Sequence, residues 1–321
     1  MDTENNQLHV SAPAKINLFL HVLGKRDDGY HNLITWMQKI DMSDTIELRL
    51  LSGESIDFTC DDDSLPVNSD NLAVRAAESF LKESVHLRNK GLKIRLQKKI
   101  PVAAGLGGGS SDAGAVLRGL NQLSGFEFSE KALVEMARPL GADVPFFTIE
   151  DDAVIASGIG DDMHVVDSLR NCTFVVVNPG FFVSTKWVFE NFLLTSQKNK
   201  SKLSRFQKCN KAHPLLEEMH NDLESVTSIA HPEIQEMKKS LLAQGASKVL
   251  MSGSGPTVFG IFPDTRESIG SDFQNIANVL HVQYGNKVYI SRACTGAWPS
   301  GKAPGFDPGI RRFESCRPSH Q

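Results

Sequence analysis

The sequence lacks the cysteine patterns that hold a metal ion or cross-link a secreted domain. Its five cysteines are odd in number and far apart: Cys60, Cys172, Cys209, Cys294 and Cys316. None of them forms the CxxC or Cys/His spacing of a zinc site. We therefore expect reduced thiols in packing or surface positions.

Long apolar runs and basic tracts are also missing. No stretch reaches the roughly 18 apolar residues of a membrane span, and the opening MDTENNQLHV has neither the basic start nor the apolar stretch of a signal peptide. The formal net charge of −4 argues against nucleic acid or a membrane surface as a partner. These absences predict a cytoplasmic protein.

The composition is that of a globular protein, with 40% hydrophobic and 22% charged residues in a chain of 321. That length allows one large domain or two modest ones with a sizeable core. In the first half, alternating or apolar segments predict strands near 10–23, 33–40, 44–51, 91–96 and 153–157. Helical spacing predicts helices at 71–82 with Asp70 as the cap, at 112–123, and at 129–140 with Ser129 as the cap. Because strands and helices do not alternate regularly, we expect an α+β fold.

The second half predicts a further unit with its own strands. A buried strand is expected at 174–177, a helix at 234–244, and strands at 248–251, 257–262 and 287–292. The lysine-rich segment 198–211 is predicted to be a loop or helical connector. The tail 293–321 is rich in Gly, Pro, Arg and Ser without any period, so we expect it to be disordered and assign it no function.

The strongest chemical signal is the glycine-rich run PVAAGLGGGSS at residues 101–111. Gly105, Gly107, Gly108 and Gly109 remove four side chains within five residues, so that backbone amides can turn toward one anion. A helix is predicted to begin where the loop ends, and a helix N-terminus favours a phosphate. The run therefore predicts a phosphate-binding loop, with a flexible turn as the alternative.

Two familiar phosphate loops do not match this run. A Walker A loop needs Lys after its last Gly, whereas Ser110 follows Gly109 here. A dinucleotide-binding fingerprint needs a third small residue at the right spacing, and the match ending at Ser110 is imperfect.

Three further segments contain candidate polar groups. Lys15 and Asn17 lie on one face if residues 12–18 form a strand; a solvated strand face is the alternative. Asp143 precedes an apolar segment, so partial burial would require a nearby cation such as Lys15; a plain turn aspartate fits equally well. The turn at 252–256 could close a site, although a simple join between a helix and a strand is favoured.

Taken in order, these segments resemble the GHMP kinase superfamily. The resemblance rests on PAKINLFLHVLGKRDDGYH at 13–31, SDNLAVRAA at 69–77, PVAAGLGGGSSDA at 101–113, GADVPFF at 141–147, NPG at 178–180 and MSGSGPTVFGIF at 251–262. It spans about residues 10–292, and the DGYH string points within the superfamily to kinases of a cytidyl diphosphate sugar alcohol in non-mevalonate isoprenoid synthesis. It implies a two-domain fold, with a ribosomal-protein-S5-like ATP-binding domain at 1–165 and a ferredoxin-like α/β sandwich at 166–292.

The resemblance also implies residue roles. Lys15 and Asp143 would form the catalytic pair, with Asp143 accepting or orienting the proton of the attacking 2-hydroxyl and Lys15 keeping that carboxylate ionised. ATP would be held by Pro101, Val102, Ala103, Ala104, Gly105, Leu106, Gly107, Gly108, Gly109, Ser110 and Ser111, with Asn71 and Lys98 on the adenosine side. The substrate would be held by Asn17, Tyr30, His31, Thr185 and Phe189. Tyr30 and His31 would flank the cytosine with Phe189 on its other face.

Mg²⁺ is expected with ATP, and either Ser110 or Ser111 is a plausible contact. Two features depart from the pattern: Asp112 must point away from the phosphates or lie behind the helix start, and Trp187 makes the cytosine side bulkier. We expect a monomer or weak homodimer. Another kinase of the superfamily, of the homoserine or mevalonate type, and a non-catalytic nucleotide- or sugar-phosphate-binding regulator are the alternatives.

Overall fold

The computed structural model describes residues 6–193, 218–264 and 271–294. Its strands are β1 Gln7–Lys25, β2 His31–Ser52, β3 Ile56–Cys60, β4 Lys90–Gln97, β5 Ala153–Gly158, β6 Asp162–Val165, β7 Cys172–Val177, β8 Lys248–Met251, β9 Val258–Pro263 and β10 Val288–Arg292. Its α-helices are α1 Leu72–Glu83, α2 Gly108–Leu123, α3 Glu130–Ala137, α4 Thr185–Asn191, α5 Glu224–Ala230, α6 Glu233–Ala243 and α7 Ser271–Tyr284. Short 3₁₀ turns lie at Arg138–Leu140 and Pro145–Phe147. No helix within the described ranges is long and apolar enough to cross a membrane.

Two sheets organise the molecule, and the α+β prediction is confirmed. The first has the order β3-β4-β2-β5-β6, with β1 paired to β2; the second has the order β10-β7-β9-β8. The first sheet ends at Val165 and the second begins at Cys172, on either side of the predicted boundary at 165/166. The expected connector 198–211 and most of the tail, from residue 295, lie outside the described residues.

The long hairpin β1–β2 forms the centre of the first sheet. The predicted strands 33–40 and 44–51 are parts of the single strand β2, which pairs with β5 through its first half and with β4 through its second. Residues 14–20 of β1 are buried without alternation because both faces of the strand are covered. One face packs in the core with Phe174 and Phe259 of the second sheet, so β1 lies between the two halves of the molecule.

Two helix starts differ from the sequence prediction. The cap of α1 is Asn71, whose side chain accepts a hydrogen bond from the Ala73 amide at 2.9 Å, so the prediction of Asp70 was wrong. Helix α2 begins at Gly108 rather than Asp112, since Gly107 adopts a φ of 71° and caps the helix. The end of the glycine run is therefore itself the first turn of α2, which places the helix N-terminus within the predicted loop.

Candidate active site

A cavity of about 540 Å³ lies where the two sheets meet. Its lining includes most of the residues selected from sequence: Lys15, Asn17, Ala103, Ala104, Gly105, Gly107, Gly108, Gly109, Ser110, Asp143, Thr185 and Phe189. The fold thus brings together strand β1, the glycine loop, the turn before Pro145–Phe147 and helix α4. A concave site with converging polar groups is the expected place for ligand binding.

Lys15 and Asp143 meet on the wall of this cavity. The Lys15 Nζ lies 3.4 Å from Asp143 Oδ2, with 6% of the lysine side chain and 33% of the aspartate side chain exposed. The Nζ also donates to Asn17 Oδ1 at 2.6 Å. The lysine charge is therefore buried between two oxygen partners, while the carboxylate remains open to the cavity.

Asn17 is held in place by its neighbours on β1 and β2. Its Nδ2 donates to Thr35 Oγ1 at 2.8 Å, and the Thr35 hydroxyl donates onward to the Phe19 carbonyl at 2.7 Å. This chain of donors fixes the amide so that Oδ1 points to Lys15. Sequence reasoning missed Thr35, which also lines the cavity, because a lone threonine within an apolar strand carries no signal.

The glycine loop needs its glycines for close packing as well as for turning. A Cβ on Gly105 would lie 2.2 Å from the Ser252 carbonyl oxygen, and one on Gly107 would lie 3.0 Å from Lys15 Cγ and 3.1 Å from the Phe147 ring. Both glycines have a left-handed φ, of 77° and 71°. The loop is therefore closely packed between strand β1 and the turn at 252–256.

The two loop serines point in different directions. Ser110 lines the 540 Å³ cavity, whereas the Ser111 Oγ is buried without a hydrogen-bond partner among the described residues. Ser110 is thus the hydroxyl that can reach a phosphate or a metal ion. Leu106 is buried as well, and it contributes its carbonyl oxygen to the Lys15 amide at 2.9 Å.

A second cavity of about 220 Å³ adjoins the first, and both are lined by Leu72, Ala103, Gly108 and Gly109. Its other walls include the remaining predicted ATP residues Asn71, Lys98, Pro101 and Val102. The loop therefore lines two neighbouring spaces, one beside the Lys15–Asp143 pair and one beside α1.

The Lys98 ammonium is already engaged by carboxylates beside this second cavity. Its Nζ lies 2.5 Å from Asp44 Oδ2 and 2.9 Å from Asp112 Oδ2. Burial opposes its charge, but the Asp112 and Asp44 carboxylates outweigh burial and raise the pKa of Lys98. Asp112 is thus paired with Lys98 at the wall of the second cavity, which it lines together with Gly108 and Gly109.

Asp112 gives the fold a dependence on pH. Burial raises the pKa of its carboxyl to about 7, against the lowering effect of Lys98, and its Oδ1 has no hydrogen-bond partner among the described residues. The folded state therefore retains a proton that the unfolded chain releases above its pKa of 3.8, so stability falls as the pH rises from about 4 to about 7.

We expect the substitution Asp112→Asn to remove this loss of stability with rising pH. The melting temperature of the native protein should fall relative to that of the variant between about pH 4 and pH 7, because asparagine has no titrating carboxyl group. Thermal unfolding at both pH values measures the effect, with the exposed Asp57→Asn as the control. A constant difference between native protein and Asp112→Asn would contradict the prediction.

The DGYH segment connects β1 to β2, and only one of its two predicted base-binding residues reaches the neighbourhood of the cavity. Tyr30 is 63% exposed and does not line the cavity. His31 stacks on Phe189, with ring centroids 5.2 Å apart and an interplanar angle of 24°. Because these rings are in direct contact, no third ring fits between them, and the arrangement differs from the expected sandwich. Burial, followed by the charge of Lys25, lowers the pKa of His31.

Helix α4 separates two spaces. Thr185 and Phe189 face the 540 Å³ cavity, and the Thr185 hydroxyl shares a hydrogen bond of 2.8 Å with Ser254 Oγ. Trp187 instead lines a separate cavity on the far side of the helix. Trp187 therefore does not narrow the predicted cytosine side.

The turn at 252–256 proves to be part of the site. It joins strands β8 and β9 rather than a helix and a strand, and its Gly253 and Ser254 line the cavity. The Ser252 hydroxyl donates a hydrogen bond to the Gly105 carbonyl oxygen at 2.9 Å and accepts one from the backbone N–H of Asn17 at 3.3 Å. The favoured prediction, that this turn only connects a helix to a strand, was incomplete, because the turn also makes a hydrogen bond to the glycine loop.

The cavity thus combines a helix N-terminus that attracts phosphate, a carboxylate able to take a proton, and a lysine that stabilises negative charge. This set of groups suits the transfer of a phosphoryl group to an alcohol, a reaction in which positioning and charge stabilisation supply most of the catalysis.

Comparison with protein families agrees with this chemistry. Residues 71–151 match the GHMP kinases N terminal domain and residues 207–277 match the GHMP kinases C terminal domain. A homoserine kinase structure from Cytophaga hutchinsonii superposes with a TM-score of 0.67 at 21% identity, covering 91% of this chain and 96% of that one. Fold, loop and domain matches together define a GHMP kinase, an ATP-using kinase of small molecules.

More similar relatives narrow the class. A 4-diphosphocytidyl-2-C-methyl-D-erythritol kinase from Desulfotalea psychrophila is 50% identical over 288 residues, 89% of this chain and 95% of its own. One from Geobacter sulfurreducens is 46% identical over 80% of this chain and 91% of its own. A crystal structure of a 4-(cytidine 5'-diphospho)-2C-methyl-D-erythritol kinase superposes with a TM-score of 0.70 at 30% identity, covering 89% of this chain and all of that one. The chain belongs to the 4-diphosphocytidyl-2-C-methyl-D-erythritol kinase family.

Proposed function

We propose that this enzyme transfers the γ-phosphoryl group of ATP to the 2-hydroxyl of 4-diphosphocytidyl-2-C-methyl-D-erythritol, in the non-mevalonate route to isoprenoid precursors. The main support is that Lys15 and Asp143, whose charged atoms lie 3.4 Å apart, line the same cavity as the glycine loop. An acceptor hydroxyl near Asp143 would therefore face a phosphate bound at the start of α2.

The glycine loop is proposed to hold the triphosphate. Gly107 and Gly108 lie at the N-terminus of α2, where unpaired amides and the helix dipole favour an anion. A side chain at Gly108 would also crowd the start of the helix, since its Cβ would lie 3.1 Å from Ile100 Cγ2 and 3.3 Å from Lys98 Nζ. The adenosine is assigned to the smaller cavity beside Asn71 and Lys98.

Asp143 is proposed to accept or orient the proton of the substrate hydroxyl. Its carboxylate is a third exposed and so can reach a bound substrate. Lys15, 3.4 Å from that carboxylate, would offset the negative charge that develops on the transferred group. Asn17, which accepts a hydrogen bond from the Lys15 ammonium, would hold the lysine toward this site.

The cytidine end is assigned to the side of the cavity formed by α4 and the DGYH turn. Phe189 and Thr185 line the cavity there, and His31 stacks on Phe189. A cytosine would stack against this aromatic pair rather than enter between its rings, with the exposed Tyr30 available to cover it. We propose that the enzyme works as a cytoplasmic monomer or weak homodimer, without nucleic acid or membrane partners.

Mg²⁺ is proposed to accompany ATP, and the residues present fit it. Ser110 offers its hydroxyl oxygen to the cavity, and oxygen is the ligand type that Mg²⁺ prefers when it is held mainly by phosphates. When bound, the ion would neutralise charge on the phosphoryl oxygens. Among the residues described, no cluster of three or more acidic, His or Cys side chains could hold a metal by itself.

We expect Ser110→Ala to raise the Mg²⁺ concentration needed for half-maximal rate, because the variant loses the hydroxyl on the cavity wall. Ser111→Ala is the matched control, since its Oγ is buried without a partner among the described residues. Titrating Mg²⁺ at fixed ATP compares them. Equal Mg²⁺ requirements in the two variants would assign the metal contact elsewhere.

The substrate assignment is tested by measuring ATP consumption and phosphorylated product with 4-diphosphocytidyl-2-C-methyl-D-erythritol. The same assay is run with 2-C-methyl-D-erythritol 4-phosphate, homoserine and mevalonate. We expect turnover only when the cytidyl group is present. Indifference to that group would favour another kinase of the class, and ATP binding without any turnover would favour a regulator.

A further inference from the structure

Asp44 is a buried carboxylate at the edge of the site that lines neither cavity. It lies on β2 and has no exposed surface. Its Oδ1 accepts hydrogen bonds from the amides of Lys99 at 2.6 Å and Ile100 at 2.8 Å, and its Oδ2 accepts from Lys98 Nζ at 2.5 Å. Three consecutive residues immediately before the glycine loop are therefore bound to one side chain.

The ion cluster formed by Asp44, Lys98 and Asp112 also reaches the far end of the loop. The Lys98 Nζ donates to Asp112 Oδ2 at 2.9 Å, and Asp112 is part of helix α2. The entry to the loop at 98–100 and its exit at Asp112 are thus joined through Asp44 and Lys98. Residues 101–107 span the distance between two ends fixed by one ion cluster.

A loop with many glycines is costly to order because glycine has a large backbone entropy in the free state. Fixing both of its ends limits the conformations available before a ligand arrives, and preorganisation of this kind increases affinity by lowering the cost of ordering. A buried, charge-assisted cluster is suited to this task because exposed ion pairs are weak and easily rearranged.

We propose that Asp44 is a positioning residue for nucleotide binding, which holds both ends of the 101–107 loop through Lys98, Lys99, Ile100 and Asp112 so that the loop amides are preset for phosphate. The proposal rests on the proposed function only in taking ATP as the ligand of this loop. It requires no contact between Asp44 and any substrate.

A second carboxylate on β2 provides a matched control. Asp41 Oδ1 accepts hydrogen bonds from Ser291 Oγ at 2.5 Å and from the Arg292 amide at 2.9 Å. It attaches β2 to β10 of the second sheet and makes none of the bonds of the loop cluster. Asp41→Asn therefore loses a comparable structural contact without affecting the ends of the glycine loop.

The test is the dissociation constant of ATP, measured by calorimetry without any phosphoryl acceptor, for the native protein, Asp44→Asn and Asp41→Asn. We expect Asp44→Asn to weaken ATP binding about ten- to hundred-fold, the range for loss of one charge-assisted hydrogen bond. Asp41→Asn should remain within about two-fold of the native value. A folded Asp44→Asn that binds ATP as well as the native protein would overturn the proposal.

Kinetics and hydrogen exchange separate positioning from general stability. For Asp44→Asn, KM for ATP should rise more than kcat falls, and KM for the alcohol should stay unchanged. Hydrogen exchange at the amides of residues 102–107 should accelerate in Asp44→Asn and remain native in Asp41→Asn. Uniform acceleration over the whole N-terminal sheet would mean that Asp44 is merely structural.

A second variant covers the case in which Asp44→Asn does not fold. Asp112→Asn keeps the Asp44–Lys98 pair and removes the ion pair at the loop exit, on the wall of the second cavity. ATP binding should therefore weaken several-fold, and hydrogen exchange in the loop should accelerate. Native values for both would overturn the proposal. Because these measurements need no turnover, their failure is distinguishable from failure of the substrate assignment.

Discussion

Replacing Asp143 by asparagine should lower kcat by about 10²- to 10⁴-fold, the usual contribution of a positioned general base. Asparagine keeps the size of the side chain and its place near Lys15, but it cannot take a proton. ATP binding should change little, since the phosphate loop is untouched. Steady-state kinetics with the cytidyl substrate, together with calorimetric ATP binding, measure both quantities.

Asp161 is a suitable control for this substitution. Its side chain is 34% exposed, close to the 33% of Asp143, and it pairs with Arg138 rather than with Lys15. Asp161→Asn should therefore retain near-native kcat. If Asp143→Asn also retained it, Asp143 would not be the base, and the reaction would depend on charge stabilisation alone.

Replacing Gly105 by alanine should destabilise the fold by about 2–5 kcal/mol, adding overpacking of roughly 1–3 and left-handed backbone strain of roughly 1–2. The new Cβ would lie 2.2 Å from the Ser252 carbonyl oxygen, and the φ at this position is 77°. The neighbouring atom is backbone and cannot rotate away. Denaturant unfolding monitored by circular dichroism would show the loss.

Gly109→Ala is the matched control within the same loop. Its Cβ would meet only Leu72 Cδ1, at 3.9 Å, and Gly109 lies in the first turn of α2. Alanine should therefore leave stability unchanged or raise it by up to about 1 kcal/mol, because glycine is a poor helix former. Equal losses in the two variants would show that the loop tolerates no side chain for reasons other than the Ser252 contact.

Local patterns in the sequence predicted the parts of the fold that depend on local forces. Alternation in 91–96 and helical spacing in 71–82 correspond to β4 and α1. Helix α4 was missed because its seven residues are too few to show a period. The cap of α1 was misplaced by one residue, since Asp70 and Asn71 are both good caps and only the local backbone decides between them.

The features of the site also differ in how far the sequence could predict them. A glycine loop at a helix start could be predicted from its glycines alone. Burial reasoning named Lys15 as a cation for Asp143 but left a plain turn aspartate open, because nothing local joins a strand at 15 to a turn at 143, and only the resemblance implied a catalytic pair. The Asp44–Lys98–Asp112 cluster could not be predicted at all. Its carboxylates are 54 and 14 residues from the lysine, and no spacing rule relates them.

The Ser252 hydroxyl has a consequence for how the enzyme is made. It bonds to Asn17 and Gly105, which precede it by 235 and 147 residues. As the chain leaves the ribosome from its N-terminus, strand β1 and the glycine loop emerge long before the turn at 252–256 to which they are hydrogen-bonded. Much of the site is thus synthesised early but completed late. A nascent chain that stops before the β8–β9 turn lacks the Ser252 hydrogen bonds to Asn17 and Gly105, so its ATP site is incomplete.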